Sequence, residues 1–285
     1  MGRTVLVTGA TGMLGSHLIP KLVSRGDKVL CYQRAGSSLE KVAQLGAESV
    51  FDLEWAGEVD AVYYCAGQLG KRGVHINAYQ AVHAVLPKII LSLMRPGHKF
   101  VYVSSAYVEY LKKAYEVTKL EGEITVQGFG NSKDIDWTVI RPGVMYGERD
   151  MHHLMIYKLV KALGRYFPIV GDGKNVMSPV YAGDVADAIL KAGERSNLGN
   201  RQTITVAGEL ITMIEWLGRI ADCLDVERPT GEVKLPDWKW RLYRDVVRAD
   251  FWTQSRPFKS TTPAATKMTE GLQKTVTWYQ ENNLL

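Results

Sequence analysis

The sequence predicts an α/β protein in which a doubly wound parallel sheet is followed by a smaller C-terminal lobe. Three observations lead there. The β-type run Thr4 to Thr8 passes through Gly9, Gly12 and Gly15 into a helical stretch, Leu14 to Ser24. Short apolar strands then alternate with helical segments to about residue 147, the pattern of βαβ units stacked into one sheet. With 285 residues, 46% hydrophobic and 23% charged, the chain can bury one substantial core and still carry a lobe. The expected division is a sheet domain over 1–147 with 176–207 returning to it, and a smaller lobe from 148–175 and 208–285.

The first turn has a chemical reading. At its spacing Gly9 permits a tight turn, Gly12 lets a pyrophosphate approach the backbone, and Gly15 lets the helix pack on the strand. Phosphates then rest on the helix N-terminus, where free N–H groups and the helix dipole favour negative charge. A glycine-rich turn without a ligand has the same spacing, so the flanking strand and helix are what make this a Rossmann-type dinucleotide site. Its expected contacts run through Gly9, Thr11, Gly12, Met13, Leu14 and Gly15.

The wording Thr8-Gly-Ala-Thr-Gly-Met-Leu-Gly15 resembles the extended short-chain dehydrogenases/reductases, which include nucleotide-sugar epimerases, dihydroflavonol reductases and 3β-hydroxysteroid dehydrogenases. Lys28 to Gln33 reads as the second strand, and the residue at its end selects the cofactor. An acid there would bind the adenosine ribose diol of NAD, but Gln33-Arg34 stands instead. A guanidinium pairs with the extra phosphate of NADP, and Ser37 and Ser38 add hydroxyls, so NADP is expected with NAD as the alternative. Arg34 as a solvated loop charge is the other reading. Asp52-Leu53, closing Glu48 to Leu53, resembles the family's adenine-binding step, which implies that Asp52 accepts from the adenine amino group and Leu53 packs on the ring. Val59 to Ala66 gives a fourth strand whose small residues Ala66 and Gly67 leave room for the nicotinamide ribose. Its lead-in Tyr63-Tyr64-Cys65 departs from the family wording.

A helix is expected from about Val74 to Met94, with an apolar stripe of Val82, Val85, Leu86, Ile89, Ile90 and Leu93 and a kink at Pro87. Asn77 resembles the asparagine that opens this helix in the family; capping and a proton relay through water are both open to it.

His98 to Ser104 reads as the fifth strand, whose C-terminal end faces the cleft of the glycine turn. Ser104 and Ser105 stand there. Downstream, Tyr115 and Lys119 lie four residues apart, one helical turn on one face. Carbonyl reduction needs a proton donor at the substrate oxygen, and bringing a phenol from about 10 to about 7 needs roughly 4 kcal/mol of selective stabilisation. An ammonium about 4 Å away supplies roughly that at an effective dielectric near 20. The order glycine turn, Ser-Ser strand end, YxxxK matches the family. Tyr115 is therefore expected as acid/base, Lys119 as its tuner and ribose ligand, and Ser105, favoured over Ser104 because Ser105-Ala-Tyr-Val108 aligns with the family's Ser-x-x-Val, as the oxygen holder. The loop between Ser105 and Tyr115 is shorter than the family's, which leaves substrate choice open. Ala106 stands where dehydratases carry an acid, so dehydration ranks low.

Asp136 to Gly147 reads as a sixth strand and a turn close to the family's LRPxxxYG signature; the resemblance implies that Pro142, Gly143 and Val144 lie beside the nicotinamide carboxamide. Asp184 is expected in the first turn of a helix. The end of the chain, Met268 to Tyr279, resembles the family's closing helix. Trp238, Trp240 and Trp252 either shape an apolar pocket or supply bulk to a small lobe. His152-His153 lack metal spacing and read as surface or loop residues, and no metal is expected. Cys31, Cys65 and Cys223 are too scattered for a disulfide framework.

The net charge of +5 is interleaved with acids, which argues against a nucleic-acid arm, and no apolar run reaches the ~18 residues of a membrane span. The expected protein is a cytoplasmic NAD(P)-dependent oxidoreductase moving a hydride between nicotinamide and a carbonyl or secondary alcohol, and the resemblance implies a homodimer in which Gly122 lets helices approach. The alternatives are a nucleotide-sugar epimerase that retains NAD and a catalytically silent dinucleotide-binding regulator.

Overall fold

The computed structural model describes residues 2–68, 73–169, 172–194, 201–230 and 257–285. Trp238, Trp240 and Trp252 fall outside them. The chain forms two compact units, Met1–Gly143 with Gly183–Val206, and Val144–Ala182 with Ala207–Leu285.

The first unit is an α/β sandwich around a parallel sheet. Strands β1 (Thr4–Thr8), β2 (Lys28–Tyr32), β3 (Glu48–Val50), β4 (Ala61–Tyr64), β5 (Lys99–Val103) and β6 (Asp136–Pro142) are joined by strand Gln202–Ala207. Their order is β3-β2-β1-β4-β5-β6 and then Gln202–Ala207, all parallel. The order reverses between β1 and β4, so a crevice opens at their C-terminal ends, where such sheets bind ligands. Leu6, Val62, Phe100, Tyr102 and Val139 are fully buried on the sheet beneath Ile90, Leu91 and Val126 from the covering helices. Each large apolar side chain so buried contributes about 1.5–3 kcal/mol.

Two helices frame the site: α1 (Met13–Ser24), which follows the glycine turn, and the long helix Ala114–Ser132 after β5. The stretch expected as one kinked helix is more elaborate. It runs as an α-helix over Ile76–Gln80, a π-helical turn over Ala81–Val85, and an α-helix over Leu86–Leu93 with Pro87 in its first turn. Proline has no N–H for the carbonyls four and five residues back. Those belong to His83 and Val82, and both accept from tyrosines of the sheet: Tyr102 Oη donates to the His83 carbonyl at 2.8 Å, and Tyr64 Oη donates to that of Val82. The expected apolar stripe also divides. Ile90 faces the core while Val85, Ile89 and Leu93 are exposed.

Gly122 is corrected as well. It points inward: a Cβ there would lie 2.1 Å from the His83 carbonyl oxygen and 2.2 Å from Tyr102 Oη. Its bareness serves contact with the helix beside it, not approach by a second copy.

The second unit holds helices Leu154–Leu163, Met213–Cys223 and Met268–Glu281, with Asp184 in the first turn of helix Ala182–Ala192 between the segments. Trp216, Tyr157 and Tyr279 are fully buried in it, the two tyrosine rings 5.1 Å apart and edge-on. His153, expected at the surface or in a loop, lies in the turn before Leu154 and is buried, with Nδ1 2.6 Å from Asp150 Oδ2. Among the described residues no helix is long and apolar enough to cross a membrane.

Candidate active site

The glycine turn is built as its spacing predicts. Gly9 has φ +71°, a left-handed value that favours glycine, and a Cβ on Gly15 would lie 2.4 Å from the Gly9 carbonyl oxygen. Gly12 is the N-cap of α1, which has no side-chain cap and no acid in its first turn. The N–H groups of Met13, Leu14 and Gly15 therefore have no acceptor among the described residues, the donor set a pyrophosphate takes.

From this turn a cleft of about 320 Å³ extends over the ends of β1, β2 and β4, within the size range of small-molecule sites. Its lining includes Gly9, Thr11, Gly12, Arg34, Ser37, Ala66 and Gly67. Gln33 also faces it, buried, with an Nε2 that has no partner among the described residues. An orphaned amide donor, an exposed guanidinium and three free N–H groups in a bare glycine cradle fit an anionic dinucleotide.

The remaining expected contacts differ in kind. Ser38 is exposed and caps a short helix, its Oγ accepting from Lys41 N–H at 3.3 Å, which fixes the side chain and leaves its O–H to donate. Asp52 is exposed and caps a 3-10 turn, Oδ1 accepting from Glu54 N–H at 2.8 Å, while Leu53 packs on the core. Neither lines the cleft. His75, not Asn77, caps the helix at Ile76, its Nδ1 accepting from Asn77 N–H. Pro142 is buried at the end of β6, and Val144 is buried at the start of the second unit.

At the end of β5 the two serines divide. Ser104 Oγ donates to Glu123 Oε1 at 2.5 Å, and the same carboxylate holds Arg141 in a two-point contact at 2.9 and 2.6 Å. Ser104 is thus consumed by a buried network. Ser105 stands close enough to Tyr115 to lower the phenol's pKa, while burial raises it. Burial prevails, and the phenol stands at about 12.

Lys119 is buried, and its Nζ donates to the Val103 carbonyl at 2.8 Å and lies 5.2 Å above the Tyr102 ring. A Cβ on Gly67 would sit 3.6 Å from that Nζ, so the lysine abuts the cleft wall. Desolvation lowers it to about 8, opposed by Cys65 and Glu123. The forces that shift the phenol are burial, which raises it, Ser105, which lowers it, and Glu116, which raises it. The ammonium is turned toward the strand carbonyl, and both groups pay for desolvation separately.

One residue of this cluster escaped the sequence reading. His83 is fully buried with its ring edge-on to Tyr115, centroids 5.4 Å apart. Its place on the inward face before Pro87 was the available signal, obscured because the stripe was counted in aliphatic residues.

A model of the NAD-dependent epimerase/dehydratase family matches residues 5–208. The chain belongs to that family. The epimerase/dehydratase relatives include a putative UDP-glucose 4-epimerase of Methanocaldococcus jannaschii, 26% identical over 98% of this chain and 99% of its own length. Another is a dTDP-4-dehydro-6-deoxy-D-allose reductase of Streptomyces, 24% identical over 98% and 97%. Among solved structures, the UDP-glucuronic acid 4-epimerase of Bacillus cereus in complex with NAD shares the fold at TM-score 0.74, with 19% identity over 98% of this chain and 99% of that one. The family is NAD-dependent, and its chemistry in this chain is that of an extended short-chain dehydrogenase/reductase: hydride transfer at a carbon bearing oxygen.

The second unit has a cleft of its own, about 510 Å³, lined by Tyr146, Tyr181, Arg219, Asp222, Arg228 and Lys267 among others. Arg219 pairs with Glu209 and Glu215, and Arg228 with Asp222 and Glu215.

Proposed function

We propose that the protein interconverts a small-molecule carbonyl and its secondary alcohol, with Ser105 holding the oxygen, Tyr115 exchanging its proton and Lys119 fixing the nicotinamide ribose. A nicotinamide dinucleotide supplies or takes the hydride when bound. The observation that carries the assignment is the pairing of Ser105 with the Tyr115 phenol, whose pKa the serine lowers, with Ser104 spent on Glu123. That pairing offers two hydroxyls to one substrate oxygen, as general acid catalysis requires.

The dinucleotide proposed is NADP(H). Arg34 is exposed, lines the cleft and pairs with no described carboxylate, and Gln33 offers a donor where NAD sites offer an acceptor. Arg34→Ala is expected to remove a preference for NADPH over NADH of about tenfold, the worth of one good charge-assisted contact, in calorimetric titrations. Equal affinity of the wild type for both would return the choice to NAD.

The second reading is a nucleotide-sugar epimerase with retained NAD, favoured by what the relatives are named for. A nucleotide sugar brings a diphosphate, and the arginines of the second unit's cleft are already neutralised, which supports the first reading. Purified protein decides: net oxidation of added NADPH by a carbonyl panel supports the reductase, and copurifying NAD with sugar inversion and no net turnover supports the epimerase.

The proposed assembly is a homodimer. Val85, Ile89 and Leu93 are exposed at four-residue intervals on one helix face, and Val117 and Ile124 are exposed on the helix packed beside it. Velocity sedimentation at micromolar concentration is expected to give a dimer that Ile89→Glu dissociates; a wild-type monomer ends the proposal.

A further inference from the structure

His83 sits in the π-helical turn, and each of its ring nitrogens is engaged. Gln68 N–H donates to Nε2 at 3.1 Å, and Nδ1 lies 2.9 Å from Thr118 Oγ1. Because Nε2 accepts, the proton is on Nδ1 and is donated to Thr118, whose own hydroxyl donates to the Ala114 carbonyl at 2.8 Å. The chain of bonds is complete only for this neutral tautomer. Gln68 lines the dinucleotide cleft immediately after Ala66 and Gly67, and Thr118 lies between Tyr115 and Lys119 on their helix. The ring also abuts Tyr115 edge-on, Tyr79 packs against it at 5.9 Å, and its main-chain carbonyl is held by Tyr102.

We propose that His83 is a positioning residue that fastens the dinucleotide-lining segment at Gln68 to the helix carrying Tyr115 and Lys119, so that the cofactor wall and the proton donor keep one register. The inference rests on the oxidoreductase reading above. Burial and the Lys119 charge hold the imidazole at about 3, which keeps it an acceptor toward Gln68 throughout the working range. A protonated ring would present a second N–H to the Gln68 N–H and break the tie.

The two bonds are separable by chemistry. An asparagine amide occupies the place of Nδ1 and keeps the bond to Thr118, whereas a glutamine amide oxygen extends to the place of Nε2 and keeps the acceptor for Gln68. Calorimetric titration with NADPH and NADH is run on the wild type, His83→Gln and His83→Asn, with melting curves for each. His83→Gln is expected to keep the wild-type affinity, and His83→Asn to lose about tenfold, the effect of orphaning the half-buried Gln68 N–H at the cleft wall. A role in packing alone lowers both melting temperatures and leaves the affinities equal, which overturns the proposal. In the wild type, the imidazole ¹⁵N resonances are expected to show a neutral Nδ1–H ring at pH 7; an Nε2–H or charged ring overturns it independently of any variant. Wild-type protein that binds neither dinucleotide defeats the oxidoreductase reading and this inference together, whereas equal affinities in the variants with wild-type binding intact defeat the inference alone.

Discussion

Replacing Tyr115 by phenylalanine is expected to lower turnover by about 10²–10⁴-fold, the usual contribution of a positioned acid or base, with little change in dinucleotide affinity. The ring would remain against His83, and only the hydroxyl that Ser105 influences would go. Single-turnover kinetics on a substrate found in the panel, beside calorimetry with the dinucleotide, make the comparison. A variant that retains a third of the wild-type rate would mean that the proton comes from elsewhere.

The pH profile of the reductive direction carries a second signature. Tyr115, at about 12, keeps its proton throughout the accessible range, whereas Lys119, at about 8, is the first of the pair to change charge. Lys119 is a base whose folded pKa is depressed, so it is an ammonium below about 8 and neutral above. Reductive turnover is therefore expected to fall as pH rises through about 8, and the group responsible is the lysine. A limb near 10 or higher would show that the bound dinucleotide restores the ammonium's ordinary range.

The largest effect on stability is expected at Gly122. A methyl group there meets the His83 carbonyl and the Tyr102 hydroxyl at about half the usual contact distance, so either the helix backs away or the Tyr102–His83 bond breaks. Overpacking combined with a broken buried hydrogen bond costs about 3 kcal/mol or more. Gly128 lies on the same helix with nothing within 4 Å of its Cβ position, and Gly128→Ala is expected to be neutral or to stabilise by up to about 1 kcal/mol. Urea denaturation of the two alanine variants separates crowding from helix propensity. Equal midpoints would show that the contact at Gly122 relaxes without cost.

These expectations mark where the fold was legible from residues and where it was not. Glycine spacing after an apolar strand dictates the turn and the cap-free start of α1, because backbone sterics act locally, while the crevice follows from the reversal of strand order between β1 and β4. Tyr115 and Lys119 were placed on one face by helical period alone. What periodicity did not contain was the partner of each polar atom. Ser104 and Ser105 are neighbours with opposite fates because Glu123 lies under one of them, a fact set by strand–helix packing. Ser38 looked like a cofactor ligand and also serves as a helix cap. The orientation of the Lys119 ammonium toward Val103 depends on the strand end it packs against. Pro87 announced a distortion but not its form, since the π-turn depends on tyrosines more than twenty residues away in one case and fifteen in the other.

That arrangement bears on how the sequence can drift. Tyr64 and Tyr102 supply hydroxyl protons to the Val82 and His83 carbonyls, one of which Pro87 leaves without a helical donor, so phenylalanine at either strand position is costly while the proline stands. If an N–H-bearing residue replaces the proline first, the helix serves one of the two carbonyls itself and one strand hydroxyl becomes dispensable. The order of substitutions then decides which are tolerated, and Tyr64, Tyr102, Pro87 and the bare Gly122 are constrained together by these contacts.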